Sequence, residues 1–371
     1  MVQLYLSVML CTCVQQIANA EPLDTSRILG SKTCMTSGCH GGAGPDRGAY
    51  NIWKTYDPHS KAAATLSNGR SRAMATELKL ENATESNSCT VCHSPMSEVD
   101  PAKLAPSADV HGVDSGVSCA SCHGPAENWI LSHTRPDYPK DALTKLGMRQ
   151  LNSAYQRANN CVACHQNLSD ELVRVNHPPL VFELDGLLVA EPKHWREDSD
   201  FSHTKTWLTG QGVALREAAA QASREPGGRR DAEIHAIGAL LSATATGWDD
   251  TRRDTARAAD DYAKKISSST MEKGEDLAIL RRLLTNRAPF EAGAFAQVDE
   301  EFRSWAAGYY AERVALAIDR LNQSLGGTAV KKEFLNELFD AAKPPKAFDA
   351  EAAEVFVRKL DQLATSNPEA E

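Results

Sequence analysis

The chain of 371 residues has no cysteine after Cys164, and only one of its eleven histidines, His235, lies beyond His203. It has no excess of basic charge. A formal net charge of −9 and a sequence pI near 5.7 exclude the basic stripe of a nucleic-acid surface and leave room for a basic protein partner. Past the N-terminus there is no apolar run long enough to span a bilayer. Between about residues 28 and 205 there are also no long periodic apolar runs of the kind that build a core. That region reads "GGAGPDRG", "NGRSR", "PSADVHGVDSG" and "RPDYPK", a pattern of loops and short helices with little apolar material. Something other than side chains is expected to fill its middle.

The N-terminus is different. Val2 to Val14 is almost wholly uncharged, too short to cross a membrane, and followed by Ala18-Asn19-Ala20, an A-x-A cleavage pattern. We read residues 1–20 as a signal peptide cut after Ala20, although no Lys or Arg precedes the apolar run. Cys11 and Cys13 would leave with it, and the mature chain would be periplasmic. Residues 206–365 are rich in Ala, Arg, Asp and Glu and read as a helical bundle of five or six helices, broken at "EPGGRR", "TNRAPF", "SLGGT" and "AKPPKAF". Phe302, Trp305, Ala306 and Tyr309 share one helical face, as do Val314, Ala317, Ile318 and Leu321, and both faces read as core. "DDTRRDTARAADDYAKK" reads as a solvated helix face. Residues 366–371 read as a disordered tail.

The cysteines that remain fall into four units: Cys34, Cys39, His40 ("CMTSGCH"); Cys89, Cys92, His93 ("CTVCH"); Cys119, Cys122, His123 ("CASCH"); and Cys161, Cys164, His165 ("CVACH"). Three are C-x-x-C-H, the attachment signature of c-type haem. Two thiols one helical turn apart project to one side and can add across the two vinyl groups of one macrocycle, while the adjoining imidazole reaches the iron. Zinc knuckles and disulfides also use such cysteines, but neither requires a histidine directly after the second one. The first unit has a wider spacer, which must bulge to bring both sulfurs to one haem. Four haems would supply the apolar bulk that residues 21–205 lack, and that region is expected not to fold without them.

The far side of each iron calls for a further ligand. His133 follows a short helix "AENWIL", His59 sits in "NIWKTYDPHSKAA", His177 in "VNHPPL", and His111 on a glycine-containing loop before the third unit. We expect ligands from these in that order. His194 and His203 lie in the polar stretch "EPKHWREDSDFSH", which reads as linker surface, and His235 reads as helix packing.

The segment from about 30 to 180 resembles the cytochrome c-554 family of multihaem cytochromes. The features that carry the resemblance are the early unit followed by "IWKTYDPHSKA", the phrase "GVSCASCHGPAENWILSH" and the last "NCVACH". It implies a mainly α, loop-rich fold with four haems in stacked pairs, electron transfer in the periplasm, and distal ligation by His59, His133 and, correspondingly, His177. In such proteins one iron can lack a sixth ligand. The first unit departs from the pattern, with a spacing better known from small tetrahaem cytochromes of the c3 type, and the helical region after 205 lies outside the resemblance. Two functions compete. The first is an electron carrier between redox partner proteins, with no catalytic residues and with possible docking through the C-terminal helices. The alternative is a reductase acting on nitric oxide, nitrite or hydroxylamine at an iron with an open position. The carrier is preferred because no proton-donor constellation stands near any unit.

Overall fold

Helix propensity and side-chain caps account for most of the architecture. The computed structural model describes residues 26–44, 47–166, 168–178, 180–244, 246–249, 254–272 and 274–366. The expected signal peptide and almost all of the expected tail lie outside the described residues. Among those described there are fifteen α-helices, seven 3-10 helices and no sheet, with a single isolated bridge between Ile28 and Leu104. The chain is mainly α, as expected.

The two regions are packed very differently. Up to about residue 150 the apolar clusters are small: Leu66, Ala75 and Ala83 form one, and Ala126, Trp129 and Leu143 another. By contrast, one cluster runs from Ala158 to Leu363 and buries Trp207, Tyr310 and Phe356 almost completely. Seven α-helices follow residue 202, rather than five or six: His203–Arg224, Gly228–Thr244, Thr255–Ser268, Glu275–Thr285, Glu300–Ser324, Lys332–Ala341 and Ala350–Ser366. The additional breaks fall near Gly247 and Gly274, both at positive φ, where glycine meets no steric penalty. Ala306, Tyr309, Val314, Ala317, Ile318 and Leu321 are core residues, with Phe302 and Trp305 packed against them.

The expected boundary between 205 and 206 falls inside the helix His203–Arg224. The fourth cysteine unit also packs with the bundle on its C-terminal side. Its helix, Ala154–His165, is opened by a capping box in which Ser153 and Gln156 satisfy each other's backbone N–H groups. Ala158 and Val162 on this helix are buried in the large cluster. Tyr155 donates its hydroxyl to Asp260 at 2.6 Å, and Asp260 also accepts from Arg216 at 2.8 Å. The charged run around Asp260 is thus amphipathic: Ala258, Ala259, Tyr262, Ala263 and Ile266 are buried on its other side. Gly212 permits that packing, since a Cβ there would lie 3.0 Å from both the Ala263 and Tyr262 side chains.

Glu183 caps the helix Leu184–Ala190 by accepting from the backbone N–H groups of Asp185 and Gly186 at 3.0 and 2.6 Å. Burial, reinforced by the neighbouring Asp185 carboxylate, pushes its carboxyl up to about 7. The unfolded chain therefore loses this proton first as pH rises from near 4.5. Stability falls across that interval, and the penalty is fully present above 7. Glu183→Gln is expected to gain stability over the parent at about pH 8, by up to ~3 kcal/mol, and to gain almost none at about pH 4. Urea unfolding at the two pH values checks this. An equal difference at both would show that the carboxyl is not held protonated.

Candidate cofactor and metal site

Each unit is shaped locally by its own turns. In the first, the 3-10 helix Ser31–Cys34 runs into a bulge closed by the His40 N–H donating to the Cys34 carbonyl at 3.0 Å and the Gly41 N–H to the Thr36 carbonyl at 3.1 Å. The wide spacer is taken up there. The second unit occupies the helix Asn87–His93, where Glu98 accepts from Asn87 at 2.6 Å and also from the Thr90 hydroxyl. The third is the short helix Cys119–His123, entered through Ser118, whose N–H donates to the Ser121 hydroxyl at 3.0 Å. Gly124 ends it at φ +81°, and a Cβ there would lie 2.4 Å from the Gly147 carbonyl oxygen, so "CHGP" needs its glycine. The fourth unit ends the helix Ala154–His165.

The eight thiols are unpaired; in a haem-loaded chain these sulfurs would be thioethers. Sulfurs of different units meet. Cys34 lies close to Cys119, and Cys92 to Cys164. Cys161 and Cys122 lie close enough to bear on each other electrostatically.

The histidines are placed more tellingly. The rings of His40 and His133 have centres 6.2 Å apart, those of His59 and His165 6.0 Å, and those of His93 and His177 6.4 Å. Two imidazoles bound to opposite sides of one metal ion through bonds of about 2 Å have ring centres roughly 6 Å apart. Rings in direct contact share that range, but each pair here joins the last residue of one unit to a histidine from another segment. His133 is reached without the expected helix: "AENWIL" is a run of turns, in which Trp129 and Ile130 both donate to the Ala126 carbonyl, leading into the 3-10 helix Ser132–Thr134. The buried His133 Nδ1 and Trp129 Nε1 have no protein partner, as befits groups beside a cofactor that brings its own acceptors.

Residues 33–124 match the cytochrome c554 and c-prime family. The match takes in the first three units, His59 and His111, and stops before His133 and the fourth unit. That family's cofactor is haem c, which the matched stretch implies for its cysteine units. No curated protein and no solved structure matches the chain. No helix among the described residues is long and apolar enough to cross a membrane.

Around the histidine pairs, several side chains matter that the sequence did not single out. Asp57 is buried and caps the 3-10 helix Pro58–Ser67. Its Oδ1 accepts from the His59 backbone N–H at 2.9 Å and from His59 Nδ1 at 3.0 Å. That bond fixes the ring, leaves Nε2 free, and raises the imidazole's basicity against the opposing effect of burial. His93 Nδ1 faces the Thr65 hydroxyl at 3.0 Å, and His177 Nδ1 the Pro178 carbonyl at 2.8 Å. Glu191, its carboxyl raised by burial, lies with Asp57 and His59 in a group whose ligand atoms are all within 4.8 Å of one another. An Asx cap is readable in "YDPHS"; the return of Glu191 from a polar stretch is not.

His123 stands apart. Burial first, and then the nearby His194, His40 and His133, hold it down to about 4. It forms no ring pair among the described residues. His111, expected as the fourth distal ligand, is exposed and is not brought against another histidine ring. Trp53, buried on the helix Ala49–Tyr56, donates Nε1 to the Val117 carbonyl at 3.0 Å and so ties the approach to the third unit to that helix.

Proposed function

We propose that the chain is a periplasmic cytochrome with four covalently attached haems that carries electrons between two redox proteins. The three histidine pairs at 6.0, 6.2 and 6.4 Å carry this reading. Cys34 and Cys39, Cys89 and Cys92, Cys119 and Cys122, and Cys161 and Cys164 hold one haem each. His40, His93, His123 and His165 face the irons from the attachment side. His133, His177 and His59 close the first, second and fourth units. When bound, haem c supplies a reversible one-electron change at iron.

The closeness of sulfurs from different units supports an order for them. The first abuts the third through Cys34 and Cys119, the second abuts the fourth through Cys92 and Cys164, and the third and fourth are neighbours through Cys122 and Cys161. Electrons would thus pass first, third, fourth, second, or the reverse. Paired imidazoles shut small molecules out of three units, which favours the carrier over a reductase. The net charge of −9 suits partners with basic docking faces. The seven C-terminal helices hold the fourth unit in place and offer a second docking surface.

The mass of the exported protein tests the reading. We expect a chain that begins at Glu21 and weighs the polypeptide plus four haems. Three haems with Cys34 and Cys39 free would remove the first unit from the relay; none would end the proposal.

A further inference from the structure

The three paired distal histidines differ in what holds the ring nitrogen that is not offered to iron. A histidine that gives one nitrogen to a metal carries its proton on the other, and the acceptor of that N–H sets the donor strength of the ring. His177 has a neutral acceptor, the Pro178 carbonyl, 2.8 Å from Nδ1. His133 has none: its buried Nδ1 is without a protein partner among the described residues. His59 has a carboxylate, with Asp57 Oδ1 at 3.0 Å from Nδ1. We propose that Asp57 lowers the reduction potential of the iron held between His59 and His165 and makes it the lowest of the three paired irons. This rests on the four-haem reading above. Asp57 acts through His59, as a positioning residue.

Neighbouring segments hold both partners of this bond in place. Asp57 is 2% exposed, and its Oδ1 also accepts from the His59 backbone N–H at 2.9 Å. Pro58 opens the 3-10 helix that this carboxylate caps. The His59 carbonyl accepts from the Val117 N–H at 2.9 Å, and a Cβ on Gly116 would lie 2.6 Å from that carbonyl oxygen. The cations of the segment beside the pair serve another carboxylate. Arg157, one turn before Cys161, donates to Glu197 at 2.7 Å, and Lys193 pairs with Glu197 at 3.3 Å. Glu191 instead brings a second carboxyl, within 4.8 Å of the ligand atoms of Asp57 and His59.

Ferric iron carries one more positive charge than ferrous iron. A ring whose proton is drawn toward a carboxylate gives more electron density to the metal, and a buried anion is little screened by water. Both effects favour the ferric state. A carbonyl acceptor does so less, because the bond lacks the charge. On the attachment side His93 Nδ1 also has neutral partners, the Thr65 hydroxyl at 3.0 Å and the Ala62 carbonyl at 3.3 Å. The change concerned is one electron at one iron, with no bond made or broken.

Optical redox titration of the holoprotein tests this, with the haem count fixed by mass and each haem placed by peptide masses. In the parent, one low-spin haem is expected to titrate below the others. Asp57→Asn keeps an oxygen that can cap the helix and accept from Nδ1, but it drops the charge. It is expected to keep its haems low-spin and to raise that lowest potential alone. The ferric-to-ferrous ratio at a fixed applied potential should change by at least about tenfold, ~59 mV for one electron. A single shared potential for the low-spin haems of the parent would overturn the proposal. So would a lowest potential that stays or falls in the variant, a shift confined to another haem, or the loss of a low-spin signal. If Asp57→Asn does not accumulate, Asp57→Ser, which also caps a helix, takes its place with the same expectation. A parent that carries no haem at Cys161 and Cys164 is instead a failure of the four-haem reading, seen in the masses before any titration.

Discussion

Produced without haem attachment, the chain is expected to keep its C-terminal helices and lose the order of residues 26–150. The packing dictates this split. The first region buries two clusters of three apolar residues, far short of the apolar area that offsets the conformational entropy of some 120 residues at about 1–2 kcal/mol each. The second carries a continuous core from Ala158 to Leu363. Circular dichroism of the haem-free chain should retain the helical signal of the seven C-terminal helices. Limited proteolysis should cut ahead of Ser153 and spare the residues beyond it. A haem-free chain that resists protease throughout residues 26–150 would show that side chains alone suffice there. The consequence would be serious, because the haem count would then lose its structural rationale.

Arg313→Ala is expected to cost about 2–5 kcal/mol of stability, from the cavity left by a large buried side chain and the neutral acceptors it abandons. Arg313 is 1% exposed in the middle of the helix Glu300–Ser324. Its guanidinium donates to the Phe182 carbonyl at 3.3 Å, to the Tyr309 hydroxyl at 2.8 Å, and to Gln211. It joins the end of the haem-bearing region to two long helices of the bundle. Alanine leaves a void and three buried acceptors without a donor. Arg313→Lys is expected to recover only part of the loss, since an ammonium cannot spread over three partners held in the plane of a guanidinium fork. Denaturant unfolding of the holoprotein measures both variants. A loss below about 1 kcal/mol in the alanine variant would mean that the network relaxes without cost.

What the sequence made legible was chemistry written in short range. The cysteine units, the helical region and the scarcity of core before residue 150 follow from spacing and composition. His59, His133 and His177 each stand across from the last residue of a unit. His111 is different: it precedes the third unit by eight residues on a glycine-containing loop, and its side chain is exposed. The segment around His194 reads as linker because most of its residues are polar. Its return is decided by Arg157, Trp195 and Glu197, partners up to forty residues apart. A tryptophan inside a polar stretch was the available sign, since leaving one in water forfeits a large burial gain. The boundary at 205 also placed the last unit with its fellows in sequence, whereas Ala158 and Val162 pack it with the bundle.

The meeting of Cys34 with Cys119 and of Cys92 with Cys164 has a consequence for biogenesis. A naked chain that reached this arrangement in an oxidising compartment would be primed for two cross-links, each consuming one thiol from two different attachment units and disabling four sites at once. On the four-haem reading, a chain that gains this order only as haems are attached would meet the hazard late, with the units still unfilled, and the order of filling would decide which wrong bridge is still possible.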